Sequence, residues 1–193
     1  MKKNSVQSLT YAALLIALGI MIPMVMPVRI VLGPASYTLA SHVPVFLAMF
    51  VSPTVAVLVA LGTAFGFFLT TPFIIAMRAL SHVIFAFLGA LFLSKRPNII
   101  SSPKKMIAFN VVIGLIHAIC ETLVVTIFFM NGRLSAETYT SGFFISVFVF
   151  VGIGGFIHSL VDFTIAFTIA EKIGTKFKLP VYLAAKQRDK RGV

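Results

Sequence analysis

The sequence predicts an all-α membrane protein, a bundle of six transmembrane helices. Three observations carry that prediction. Hydrophobic residues make up 59% of the 193 positions and charged residues only 11%, with a mean hydropathy of +1.05. A soluble domain ordinarily carries about a quarter charged residues, so an ordinary soluble enzyme is excluded, and the high hydrophobicity excludes disorder. The apolar residues fall in runs of helical length broken by Pro, Ser, Thr and Gly. Finally, the cations gather at the ends of alternate runs.

The first run, 9–26, ends at Pro27. It follows Lys2-Lys3 as a signal peptide would, but no small-x-small cleavage site follows Gly19, so it reads as a retained helix. The second run, 38–51, is divided from the third, 55–69, by Ser52-Pro53, and Thr70-Thr71-Pro72 opens the fourth, 72–93. The fifth is 106–130 and the sixth 142–171, with a basic tail over 172–193. Crossing the hydrocarbon takes roughly 20 helical residues, so runs two and three are short. They are two compact spans or one bent segment.

Charge asymmetry chooses between the counts. Lys2 and Lys3 precede run one; Lys95, Arg96, Lys104 and Lys105 separate runs four and five; Lys172, Lys176, Lys178, Lys186, Arg188, Lys190 and Arg191 follow run six. Six crossings put all three clusters on one side, the cytoplasmic side by the positive-inside rule, with both termini. Only Arg29 and Arg133 are then left outside. The net charge of +11 is therefore a topology signal against a lipid bilayer and implies no nucleic-acid partner. The outer loop Val28–Tyr37 mixes Arg29, Gly33-Pro34, Ser36 and Tyr37 with apolar residues, a composition that folds back over an opening.

Ionisable side chains are expensive inside a bilayer and usually face the bundle interior. Arg78 and His82, His117 and Glu121, and His158 and Asp162 are each spaced i, i+4, so each pair shares a helical face. A rise of about 1.5 Å per residue gives their depths from the outer end. Arg78 lies roughly 9 Å down, His82 15 Å, Glu121 13 Å and His117 20 Å, with His42 a turn inside run two. His158 falls near or below the midplane and Asp162 deeper. Arg78 either neutralises Glu121 and ties two helices together, or lines a cavity in which its guanidinium grips a carboxylate at two points. His158 and Asp162 can satisfy each other along one helix. The same residue types are metal ligands, which makes an intramembrane metalloenzyme an alternative, but depths spread over more than a turn argue against it.

Ala13 and Ala17, and Gly62 and Gly66, form small-xxx-small faces that admit a close helix, either within the bundle or from a partner. Gly152-Ile-Gly-Gly155 bends run six or admits a neighbour. Cys120 lies within an apolar run and reads as a small packing residue. A P-loop, a G-x-S-x-G elbow and an H-E-x-x-H zinc motif are all missing, so no enzyme is expected. A purely structural membrane subunit is the remaining alternative.

The stretch Leu32–Pro53 (LGPASYTLASHVPVFLAMFVSP), the Arg78-Ala-Leu-Ser-His82 segment and the Ala13-x-x-x-Ala17 motif together resemble a substrate-binding S component of an energy-coupling-factor (ECF) vitamin transporter. The niacin-type members are the nearest match and the pantothenate-type branch is a close competitor. The resemblance implies capture of a small carboxylate vitamin from outside, under the Val28–Tyr37 loop. Arg78, His82, Glu121, His42, Tyr37 and His117 are the expected binding residues, with Tyr37 or Phe85 stacking on a ring. It also implies a transmembrane coupling protein, docked on Ala13 and Ala17, and two cytoplasmic ATPases. No cofactor or resident metal is implied.

Overall fold

The computed structural model describes residues 2–191, with side chains over 6–188. The Lys2, Lys3, Lys190 and Arg191 charges of the topology reading lie outside the described side chains. Among the described residues, the regular structure is helical apart from one small hairpin. Helix α1 covers Lys2–Val25, strands β1 and β2 cover Arg29–Leu32 and Ala35–Thr38, and helices α2, α3 and α4 cover Val43–Met49, Pro53–Thr70 and Phe73–Lys95. A 3-10 turn at Pro97–Ser101 leads to α5 (Pro103–Met130) and the short α6 (Ala136–Thr140). A π-helical segment, Phe144–Ile153, then runs without a break into α7 (Gly154–Ile173), and α8 (Pro180–Arg191) closes the chain. Among the described residues, five helical stretches are long and apolar enough to cross a membrane: Val6–Val25, Pro53–Thr70, Phe73–Lys95, Pro103–Met130 and Phe144–Ile173.

The expected breaks are real. The Ser52 hydroxyl accepts a hydrogen bond from the Val55 amide while Pro53 occupies the first turn of α3, the position where a missing N–H costs nothing. Pro103 also occupies the first turn of α5, without a side-chain cap from Ser102 and three residues ahead of the expected start at 106. The second run is different from expectation. Instead of a helix over 38–51, β2 ends at Thr38, residues 39–42 turn, and only Val43–Met49 is helical. Seven residues span about 10 Å, too little to cross alone. The backbone of the turn explains why. Ala40 sits at φ +66°, a left-handed conformation that no L-residue adopts within an α-helix.

The loop after α1 is an antiparallel hairpin pairing Arg29 with Thr38 and Leu32 with Ala35. Gly33 at φ +53° makes its turn, and the Leu39 amide donates to the Val28 carbonyl at its base, 3.0 Å.

Helix α1 packs on α3 through the glycines of α3. Ile16 lies against Gly62 and Ile20 against Gly66, so this G-x-x-x-G face serves internal packing. Ala13 and Ala17, by contrast, are exposed. The glycine cluster of run six marks the switch from π to α geometry, and any side chain at Gly154 would collide with the Tyr37 hydroxyl. Near the C-terminus, α8 docks by the Val181 amide on the Phe50 carbonyl, 3.3 Å, and by Tyr182 on the Phe50 ring.

Two apolar clusters make the core. The larger includes Phe46, Phe50, Phe85, Phe109 and Phe163, and the smaller Ala35, Val125, Val147 and Val151. Along α5 and along the π-helical segment into α7, the ionisable residues fall between the two. The membrane-buried polar layer is thus sandwiched by packed hydrocarbon, which raises the energetic stakes of every hydrogen bond in it.

Candidate functional site

Helices α4 and α5 build the first half of the polar layer. Arg78 and His82 lie one turn apart on the buried face of α4, and His117 and Glu121 do the same on α5. The Arg78 Nη2 donates to Glu121 Oε2 at 2.8 Å, and His82 Nε2 meets the other oxygen, Oε1, at 3.0 Å. His117 Nε2 stands 3.6 Å from the same Oε1 and 3.3 Å from His82 Nε2. Glu121 is 3% exposed, and an unpaired carboxylate at that depth would be prohibitively desolvated. Three partners on two oxygens make it tolerable.

The second half comes from the turn after the hairpin and from α7. Asp162, fully buried, accepts the Ala40 amide on Oδ1 and the His42 amide on Oδ2, each at 2.8 Å. It therefore holds the left-handed Ala40 turn in place with two charge-assisted bonds. His42 Nδ1 lies 3.2 Å from Asp162 Oδ2 and 3.1 Å from His158 Nε2, and the Ser41 hydroxyl bridges to both imidazoles at 3.1–3.2 Å.

The halves meet at His42, whose ring centroid is 4.9 Å from His82, 4.7 Å from His117 and 4.9 Å from His158. All four histidines of the chain thus converge with Glu121 and Asp162. This corrects the depth reading, which separated His158 and Asp162 from the rest. That reading started run two at the outer end of the bundle. In the structure the hairpin carries the chain inward first, so His42 arrives level with His158 instead of a turn below the surface. The argument from spread depths against a shared ligand cluster falls with it.

A cavity of about 130 Å³ opens beside this layer, lined by Arg29, Ser36, Thr38, Ser41, His42, Arg78, His82 and Glu121 together with apolar residues of α1, α3 and α4. It lies beneath the hairpin, between the ends of α1 and α3 and the start of α4. The Arg78 Nη1 donates to the Pro34 carbonyl at 3.2 Å, which latches the hairpin over the opening. The Arg78 Nε has no protein partner although buried.

Of the expected binding residues, Arg78, His82, Glu121 and His42 line the cavity together. His117 is fully buried next to them, and Tyr37 packs its ring 5.4 Å from that of His158. Burial pushes the Tyr37 phenol up to about 12, with the Arg78 charge opposing and Glu121 adding, so the hydroxyl keeps its proton and remains a donor. Phe85 is fully buried, its ring 4.5 Å from that of His117, and neither Phe85 nor Tyr37 lines the cavity.

Arg29, Ser36, Thr38 and Ser41 were not foreseen as lining residues. The signal for Arg29 and Ser36 was membership of the polar Val28–Tyr37 loop suited to folding back, whereas Thr38 and Ser41 fell in the second run, read as a helix, and carried none. Arg29 is held toward Ser36 by an Nε–Oγ hydrogen bond of 2.9 Å and brings a second guanidinium to the cavity.

No protein-family model and no solved structure matches the chain. Among characterised proteins, the niacin transporter NiaX of Lactococcus lactis subsp. cremoris (strain MG1363) is 41% identical over 186 residues, which span 96% of this chain and 82% of that protein. A likeness of that extent over nearly the whole chain shows the family, and the chain accordingly belongs to the niacin-transporter family of ECF S components.

Proposed function

We infer that the chain captures niacin, as the nicotinate anion, for ECF-driven import. The observation that carries this reading is the buried guanidinium of Arg78 on the wall of a small cavity beneath the hairpin, in a relative of a niacin transporter. A planar ring with one carboxylate needs one cationic grip, a few hydrogen-bond donors and an otherwise apolar wall. Arg78, Arg29, the histidines and the Thr38 and Ser41 hydroxyls supply these. The volume favours niacin over pantothenate. About 130 Å³ is well under the range of roughly 300–1,000 Å³ of drug-sized sites, a better match to one ring than to an extended, flexible chain.

The hairpin is the lid in this reading. Nicotinate entering beneath it competes for Arg78 with the Pro34 carbonyl, while Nη2 keeps its bond to Glu121. The Pro34 contact is exchanged for the ligand carboxylate, and Arg29 closes from the hairpin side.

Transport needs energy that this chain has no P-loop to harvest, so two ATPases and a transmembrane coupling protein complete the machine. The exposed small-residue face of α1 at Ala13 and Ala17 is the dock for the coupling protein, since small side chains let a foreign helix approach closely in lipid. Six legs cross the membrane, with both termini cytoplasmic. The second leg is the segment 38–51, its outer part non-helical and shielded by the bundle. Irregular backbone at membrane depth is tolerated where protein buries it or a cavity hydrates it. The sequence then forms one membrane domain over 1–193.

Calorimetry on the purified protein tests the ligand. Nicotinate is expected to bind, nicotinamide to bind far more weakly for want of the carboxylate, and pantothenate not to bind. Absence of heat with both vitamins would remove the assignment.

A further inference from the structure

The hydrogen bonds of the polar layer do not close on protein alone. His117 is fully buried, yet its Nδ1 has no partner and its Nε2 faces His82 Nε2 at 3.3 Å. That second nitrogen is already directed at Glu121 Oε1, 3.0 Å away. His82 Nε2 cannot both donate to Glu121 and accept from His117, and His117 Nε2 is 3.6 Å from Oε1, too far to donate there, so His117 Nε2 is left without a proper acceptor. Buried polar side chains are nearly always satisfied, and a further atom among His82 Nε2, His117 Nε2 and Glu121 Oε1 is the natural resolution for this nitrogen.

The triangle they form has the size a metal requires. Its edges are 3.0 Å (His82 Nε2 to Glu121 Oε1), 3.3 Å (His82 Nε2 to His117 Nε2) and 3.6 Å (His117 Nε2 to Glu121 Oε1). Ligands at 2.0–2.1 Å from a tetrahedral zinc ion are separated by about 3.3 Å. His42 offers a fourth nitrogen, and one ligand atom from each of the four residues lies within 4.8 Å of the others. The Glu121 oxygens divide the work, since Oε2 stays with Arg78 and Oε1 is turned to the imidazoles.

Charge points the same way. Arg78 and Arg29 only balance Glu121 and Asp162, so the side chains supply no net positive charge to a cavity proposed to receive an anion. A dication makes that balance positive.

We propose that His82, His117, Glu121 and His42 bind a divalent transition-metal ion of the Zn²⁺, Co²⁺ or Ni²⁺ class on the wall of the cavity. Imidazole nitrogen and one carboxylate suit these ions and not Mg²⁺ or Ca²⁺. His42, His82 and Glu121 line the cavity, so the ion strengthens the field that holds an anionic ligand there; this consequence rests on the nicotinate reading, whereas the ion site does not.

The test uses the full chain carrying an affinity tag free of histidine, purified in detergent, loaded with Zn²⁺ or Co²⁺ and desalted. Elemental analysis is expected to find about one ion per chain, and the Co²⁺ form to show the visible absorption of four-coordinate cobalt. His117→Ala and His82→Gln lose the ion, while His158→Gln keeps it; thermal melts establish that each variant is folded. Should the variants not fold, the cobalt spectrum of the unaltered chain still decides the matter. Substoichiometric metal together with no cobalt spectrum overturns the proposal. Metal lost from His158→Gln but kept by His117→Ala overturns the ligand set. Nicotinate calorimetry before and after chelation separates the two readings. A tenfold or greater loss of affinity on stripping supports the ion's role, and unchanged affinity overturns that role alone. Bound metal without any nicotinate heat overturns the vitamin reading and leaves the metal site standing.

Discussion

The pairing of Arg78 with Glu121 has two roles that a double-substitution experiment separates. Arg78→Ala removes the guanidinium from a carboxylate that is 3% exposed and bonded to it at 2.8 Å. Breaking a buried pair from one side costs about 3–5 kcal/mol because the remaining charge is stranded. The variant should therefore melt well below the parent. Its nicotinate affinity should fall as well, since charge-assisted hydrogen bonds to a buried partner contribute about 1.5–3 kcal/mol, or roughly 10- to 150-fold in Kd. Adding Glu121→Gln removes the stranded charge. The Arg78→Ala/Glu121→Gln protein is expected to regain most of the lost thermal stability while its nicotinate affinity stays at least tenfold weak. Thermal melts in detergent and calorimetry on the same preparations read the two quantities independently. If the double variant recovers affinity along with stability, Arg78 serves Glu121 only, and the carboxylate-grip argument is refuted.

Three further outcomes follow from the same structure. Asp162→Ala deletes acceptors for the Ala40 and His42 amides and leaves Ala40 at φ +66° without its anchor. A loss of about 3–5 kcal/mol is expected for two bonds to a charged acceptor, with Asp162→Asn losing about half of that; thermal melts and protease sensitivity of the hairpin check both. Gly66→Leu drives a side chain into Ile20 and should cost about 1–3 kcal/mol by overpacking, whereas Ala17→Leu, on an exposed position of α1, should leave the melt unchanged. Ala13→Trp is expected to retain nicotinate binding in detergent and to lose cellular uptake and co-purification with the coupling protein; undiminished uptake would argue against docking on that face.

Composition and spacing alone determined much of this protein. A chain this apolar has no soluble solution, because every backbone amide must be paired inside lipid, and helices do that locally. Local hydrogen bonding is why helix ends were legible at Pro53 and Pro72, and why i, i+4 spacing correctly put Arg78 with His82 and His117 with Glu121 on shared faces. The packing of Gly62 and Gly66 under Ile16 and Ile20 and the outward turn of Ala13 and Ala17 were not legible. Both motifs permit close approach, and only the neighbours present decide which one is used inside. The meeting of His42 with His158 and Asp162 was equally hidden. It depends on a hairpin and a left-handed residue that lead the chain into the bundle, and on a carboxylate more than a hundred residues away that holds them there. A one-dimensional count of rise per residue assumes that each helix starts at the membrane surface. The tertiary structure decides where each one starts, and with it which charges become neighbours.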